Sequence, residues 1–238
     1  MYLLNTTTQR LSQFFDEQRP AYAILSHTWG TEEVTYQDLH HFHQTRSVQG
    51  ESSSPVSSRA GWRKIKACCD QALIDGFEWV WIDTCCIDKS SSAELSEAIN
   101  SMFAWYRDSK LCYAFLEDVI DANEDVAAAG SCFRRSRWFT RGWTLQELLA
   151  PRRIRFFSSS WQMIGQLDKG SRLIEVVSEI TSIPSPFLEG LDLQMANIAM
   201  RMSWASMRVT TRKEDIAYCL LGIFDINMPL LYLSLIHI

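Results

Sequence analysis

The side chains with the most specific spacing in this sequence are Trp143 and Glu147. Residues four apart on a helix share a face, so this indole and this carboxylate can border one pocket. A second set of polar residues falls where apolar runs end. Ser26, His27 and Trp29 follow one run, Asp83 and Asp88 follow another, and Glu117 and Asp118 follow a third. Ligands of open parallel sheets bind beyond the carboxyl ends of the strands, where such residues would gather. Arg134, Arg135, Arg137, Arg141, Arg152, Arg153 and Arg155 place seven arginines within 22 residues. Their forked donors suit phosphate or carboxylate groups. A plainer reading stays open: Trp143 in the core, Glu147 solvated or paired with Arg141, and the arginines on the surface.

Other chemistries lack their motifs. There is no GxGxxG, GxxxxGK[ST] or GxSxG, so dinucleotide-fingerprint, P-loop and hydrolase-elbow readings have no support. His40-His41-x-His43 precedes a Ser-rich stretch without a companion cluster, and no metal site is read from it. Cys85 or Cys86 with His27 could form a nucleophile pair, though adjacent cysteines after a strand are more often packing. The seven cysteines include no CxxC and fit reduced, buried thiols in a cytoplasmic protein.

Composition narrows the partners. The chain has 238 residues, 47% hydrophobic and 21% charged, which describes an ordinary soluble globular domain. Twenty-three basic against 28 acidic residues give a net charge of −5, a poor basis for binding a phosphate backbone, so no nucleic-acid partner is expected. Met1 to Thr6 lacks the features of a secretory signal. The uncharged stretch from Ile226 to Ile238 is 13 residues, against the roughly 20 a membrane-spanning helix needs, so no membrane partner is expected either.

Apolar runs at 21–26, 78–83, 111–116 and 154–157 read as buried strands. Between them lie helical patterns. Trp62, Ile65, Cys69, Ala72 and Leu73 repeat at helical spacing before Gly76, and a capping box at Ser91-x-x-Glu94 opens a helix carrying Leu95, Ile99, Met102, Phe103 and Tyr106. A short helix over 143–149 stops at Pro151. Residues 44–60 read as a Ser-rich loop. Helices near 173–180, over 194–207, and after a Thr211-x-x-Glu214 cap form a helical extension at 171–232. Strands separated by helices predict a three-layer α/β fold with a mainly parallel central sheet and an added C-terminal helical layer.

Four segments carry a family resemblance. Tyr22-Ala-Ile-Leu-Ser-His-Thr-Trp-Gly30, Trp81-Ile-Asp-Thr-Cys-Cys-Ile-Asp-Lys89, Ser136-Arg-Trp-Phe-Thr-Arg-Gly-Trp-Thr-Leu-Gln-Glu-Leu-Leu-Ala-Pro151 and Met202-Ser-Trp-Ala205 resemble the fungal heterokaryon incompatibility (HET) domain. The match runs in the family's order from about residue 1 to Tyr232. It implies a fungal effector whose activation triggers cell death when genetically unlike hyphae fuse, with other incompatibility or signalling proteins and a homo-oligomer as expected partners. The family usually continues with Gly-Glu-Gly and a further helix after Leu231-Tyr232. Here residues 233–238 read Leu-Ser-Leu-Ile-His-Ile, so an atypical, truncated tail is expected.

HET domains are remotely similar to Toll/interleukin-1 receptor (TIR) domains, which implies a TIR-like, flavodoxin-like sheet. Trp143, Glu147 and Leu148 resemble the TIR Trp-Cys-x-x-Glu-Leu motif, with Thr144 where that pattern has Cys. The glutamate of enzymatic TIR domains is required to cleave nicotinamide from NAD. The resemblance thus makes Glu147 the catalytic candidate and NAD a candidate substrate, with no resident cofactor or metal. Ser26, His27, Trp29, Asp83, Arg141 and Trp143 become its candidate binding residues, Arg141 facing the pyrophosphate and an indole stacking on a base. A non-enzymatic module acting through homotypic contacts is the alternative.

Overall fold

The computed structural model describes residues 1–49 and 56–230. Among these residues seven strands form one mixed sheet: β1 (Tyr2–Asn5), β2 (Leu11–Gln13), β3 (Tyr22–His27), β4 (Trp79–Trp81), β5 (Leu111–Phe115), β6 (Ile154–Phe157) and β7 (Met163–Gln166). Their spatial order is β2-β1-β4-β3-β5-β6-β7. The central four, β4-β3-β5-β6, are parallel. Antiparallel strands close both sides, β1 and β2 beyond β4, and β7 beyond β6. The first strand of the parallel set, β3, therefore has the second (β4) on one side and the third (β5) on the other. The winding direction reverses between β3 and β5, and such reversals open a crevice at the carboxyl edge.

The parallel strands are the apolar runs of the sequence, because strands covered on both faces have no solvent side to mark with polar residues. All six residues of β3 and all five of β5 are buried. The helices are α1 (Tyr36–Gln49), α2 (Ala60–Ile74), α3 (Ser92–Asp108), α4 (Cys132–Arg135), α5 (Thr144–Leu149), α6 (Arg172–Thr181), α7 (Ser185–Leu188), α8 (Ile198–Ala205), α9 (Asp215–Tyr218) and α10 (Leu221–Phe224). Gly76, with φ +82°, turns the chain out of α2 as the sequence suggested. The Ser91 hydroxyl accepts from Glu94 N at the start of α3, the expected cap. Two tyrosines bolt α3 to β3: Tyr22 donates to Trp105 O, and Tyr106 donates to Leu25 O at 2.8 Å.

Several expectations need correction. The loop expected at 44–60 begins later, because α1 runs on to Gln49; residues 50–55 lie outside the described residues, as does the tail at 233–238. Thr211 caps no helix. Its hydroxyl accepts from Arg141 Nη2 at 3.0 Å, while the single helix expected beyond it breaks into α9 and α10 around Cys219 and Leu220. The helix expected over 194–207 is confined to Ile198–Ala205 by the Asn197 cap on Met200 N. From Arg172 to Phe224 the chain is helices and turns with no strand. Here α10 lies close on α3 through Gly222, where an added Cβ would sit 2.1 Å from Phe103 Cβ. No described helix is long and apolar enough to cross a membrane.

Candidate functional site

Two polar groups sit side by side at the carboxyl end of β3. The first is a buried chain of hydrogen bonds. Trp138 Nε1–H donates to Ser26 Oγ at 2.8 Å, and Ser26 Oγ–H donates to Glu147 Oε2 at 2.5 Å. The last hydroxyl of the run, Tyr106, lies beside the same carboxyl. Tyr106 spends its proton on Leu25 O, so its lone pairs are left to accept a proton from Glu147.

Local sequence explains this placement. Helix α5 is six residues long, all buried, and its last turn meets Pro151, which cannot donate. Before it, Ser136 and the Arg137 amide bond to the Asp118 carboxylate at 2.7 and 2.8 Å, and a short 3-10 turn over Arg137–Thr140 presents the Trp138 indole to Ser26. The Thr144 hydroxyl then bonds to Trp138 O. Asp118, whose strand-end position made it a possible ligand group, is thus committed to shaping the turn; Glu117 likewise pairs with Arg137.

Glu147 is 6% exposed and takes part in no ion pair among the described residues. Burial pushes its acid up to about 8. The Ser26 hydrogen bond, Tyr106 and the Arg208 guanidinium oppose that rise, and the Asp83 charge adds to it. At neutral pH the group is therefore mostly the uncharged acid. Neither of the plain alternatives, solvation or pairing with Arg141, describes it.

The second group is ionic. His27 Nε2 meets Asp83 Oδ1 at 2.8 Å, and Trp29 Nε1–H donates to Asp83 Oδ2 at 2.7 Å. Lys89 Nζ lies 3.7 Å from the centre of the Trp29 ring. Burial works against the Asp83 charge, yet the His27 ring, Lys89 and the Trp29 donor hold its carboxyl down at about 2. On the other side of His27 stands Glu33, whose Oε1 is 3.9 Å from Nδ1, too far for a hydrogen bond. Glu33 Oε1 instead receives Lys64 Nζ and Gly30 N, at 2.5 and 2.7 Å. His27 Nδ1, Glu33 Oε2 and the Thr84 hydroxyl are buried without hydrogen-bond partners among the described residues.

The structure thus joins Ser26 to Glu147, and His27 and Trp29 to Asp83. Two predicted residues stand apart. Trp143 is half-buried and packs beside Ile99, Tyr218 and Leu221, between α3 and the C-terminal helices. Arg141 reaches Thr211. Trp29 is the most open of the set, 51% exposed. Trp138, Tyr106, Glu33, Lys64 and Arg208 are additions that the spacing did not single out. Tyr106 was visible only as part of an apolar helix face, and Arg208 lies outside the arginine-rich run.

Fold and site together define an α/β domain with a mixed, mostly parallel central sheet and polar residues gathered at the carboxyl edge of its parallel strands. Residues 22–129 match the family model described as Heterokaryon incompatibility protein (HET). Over 218 residues the chain is 48% identical to Vegetative incompatibility protein HET-E-1 of Podospora anserina, a match covering 90% of this chain and 15% of that protein. No solved structure matches the chain. The chain belongs to the HET family. It spans only about 15% of the curated relative's length.

Proposed function

We propose that this chain is the effector module of a fungal vegetative incompatibility protein, and that it triggers cell death by cleaving nicotinamide from NAD at Glu147. One observation carries the reading: a buried carboxyl, aligned by Ser26, stands at the carboxyl edge of β3 where the winding of the sheet reverses. The strand order supports the TIR-like, flavodoxin-like assignment, and the similarity to HET-E-1 supports the role in incompatibility.

The chemistry asks little of the protein. The bond broken joins ribose C1′ to the nicotinamide nitrogen, and the pyridinium leaves with the bonding pair as neutral nicotinamide, so no general acid is needed. Water adds to C1′ and loses a proton, giving ADP-ribose. A carboxylate beside the ribose stabilises the oxocarbenium-like charge or holds the ribose hydroxyls. Glu147 must be ionised and open to do this. The closed arrangement, in which burial favours the uncharged acid, is then the latent form, and self-association or a partner's signal in the cytoplasm opens it. The exposed Trp29 ring beside Asp83 is placed to meet a base.

A second reading has an observation of its own. Met195, Ile198, Met202, Met207, Val209 and Ile216 are exposed on the C-terminal helical layer, as expected of a module that acts through homotypic contacts. Incubation of the oligomerised protein with NAD, with free nicotinamide measured, decides between them. Catalysis predicts release that Glu147→Gln abolishes while the variant still folds. Release no higher than that control, in a preparation that still kills cells, leaves the interaction module.

A further inference from the structure

The segment between α8 and α9 forms a strap across the residues that lead into α5. Val209 N donates to Thr140 O at 2.7 Å, and Gly142 N donates back to Val209 O at 2.9 Å. Arg208 Nη1 donates to both Arg141 O and Thr144 Oγ1, each at 2.9 Å. Arg141 Nη2 completes the lacing to Thr211. Close approach is enforced at Gly142, where an added Cβ would sit 2.5 Å from Thr210 Cγ2. So many bonds on so short a stretch fix the entry of the helix that carries Glu147.

One donor in this lacing is idle. Arg208 Nη2 is buried and has no hydrogen-bond partner among the described residues, a costly condition for a charged group. The guanidinium also lies within electrostatic reach of Glu147. We propose that Arg208 is a positioning residue for Glu147: it fixes the start of α5, and its idle Nη2 donors are the counter-charge for the Glu147 carboxylate once that group ionises. This rests on the reading of Glu147 as the acting carboxyl. The physical reason is desolvation. An ionised carboxylate in this chamber needs a charged hydrogen-bond donor, and Ser26 supplies only a neutral one.

The other groups facing Glu147 cannot take that role. Asp83, beyond β4, is an anion and opposes the charge. Tyr106 on α3 donates to Leu25 O, and Cys112 on β5 is a buried thiol whose own ionisation Glu147 opposes. Cys219 faces the guanidinium, and burial together with Asp215 disfavours its thiolate. Arg208 is the cation of the set.

Two measurements on the full chain test this, neither of which needs NAD. In the unaltered protein, the Arg208 guanidinium nitrogen signals should move with the same midpoint as the Glu147 carboxyl band in infrared spectra. That movement should vanish in Glu147→Gln. Arg208→Gln should lower the acid's ionisation constant about tenfold, and Arg208→Lys should restore most of it. Arg208 signals that stay still while Glu147 titrates would overturn the pairing, whether or not Arg208→Gln folds. So would a folded Arg208→Gln protein with an unchanged midpoint. A purely structural strap would lower the melting temperature in both Arg208 variants and leave the midpoint in place. Failure to release nicotinamide, with the pairing intact, would remove only the NAD reading.

Discussion

Replacing Glu147 by Gln should make the protein more stable at alkaline pH and leave it nearly unchanged at pH 5. Gln has the same shape and keeps an oxygen for the Ser26 hydroxyl, but it cannot ionise. The folded state holds the Glu147 acid at about 8, against an ordinary value of 4.5, chiefly because burial disfavours its charge. A raised carboxyl binds its proton more tightly when folded than when unfolded. Its contribution is therefore fully present below about pH 4.5 and is lost as pH rises to about 8. Above that the folded protein carries a buried carboxylate. The gap of about 3.5 pH units, at 1.36 kcal/mol each, sets the loss on the order of 3–5 kcal/mol.

Urea unfolding of both proteins at intervals between about pH 5 and pH 9.5 measures this directly. Taking the difference between them cancels groups that titrate alike in both. The stability of Glu147→Gln relative to the parent should rise from about pH 4.5, gain most of its change by about pH 8, and level off above that. A flat difference would mean that the carboxyl is solvated and ordinary in the folded state. A difference of opposite sign would mean that a cation already holds it ionised. Either result would refute the neutral, closed arrangement.

Three further outcomes follow from the same geometry. Ser26→Ala removes the link between Trp138 Nε1 and Glu147 and takes away the hydrogen-bond partner of the indole N–H and of Glu147 Oε2 in the interior, which should cost about 1–3 kcal/mol in urea unfolding. Asp83→Asn should cost roughly 2 kcal/mol near neutral pH. The parent's Asp83 is held down at about 2 in the face of burial, so its contribution is present above about pH 3.8 and fades as pH falls toward 2, and the two proteins should converge there. Gly222→Ala drives a methyl into Phe103 and should lower stability by about 1–3 kcal/mol, seen as a reduced melting temperature.

The parts of this molecule legible in its sequence are those set by local chemistry. β5 is an unbroken apolar run and β3 and β6 are runs interrupted only by Ser26, His27 and Arg155, because the interior strands of the sheet are covered, and α3 announces itself through Ser91 and Glu94. The edge strands β1, β2 and β7 were not foreseen. They are three or four residues long and partly exposed, so no alternation or run marks them. The site was legible only in pieces. Glu147 stood out by its spacing to Trp143, yet its real partner is Ser26, 121 residues away, and the indole beside Ser26 is Trp138. Tyr106 looked like one more apolar residue on α3. Arg208 carries no local signal, because its role comes from a strap that only the folded chain brings to α5.

The two carboxyls at this edge of the sheet are held in opposite states by what surrounds them. Asp83 has a ring nitrogen, an indole N–H and an ammonium nearby, and stays charged through the physiological range. Glu147 has the neutral hydroxyls of Ser26 and Tyr106 and a wall of buried side chains, and burial outweighs the Arg208 charge to favour its protonated form. Environments that push paired carboxyls apart in this way assign their roles. Asp83 cannot respond to a change in the fold without losing three partners. Glu147 sits close to the pH of a cell, so letting water reach it removes the main cause of its raised value and ionises it. Opening the site and arming the carboxylate are then one event. The proposed effector role needs that coupling, because a closed molecule holding a permanently charged carboxylate would be one thermal fluctuation from activity.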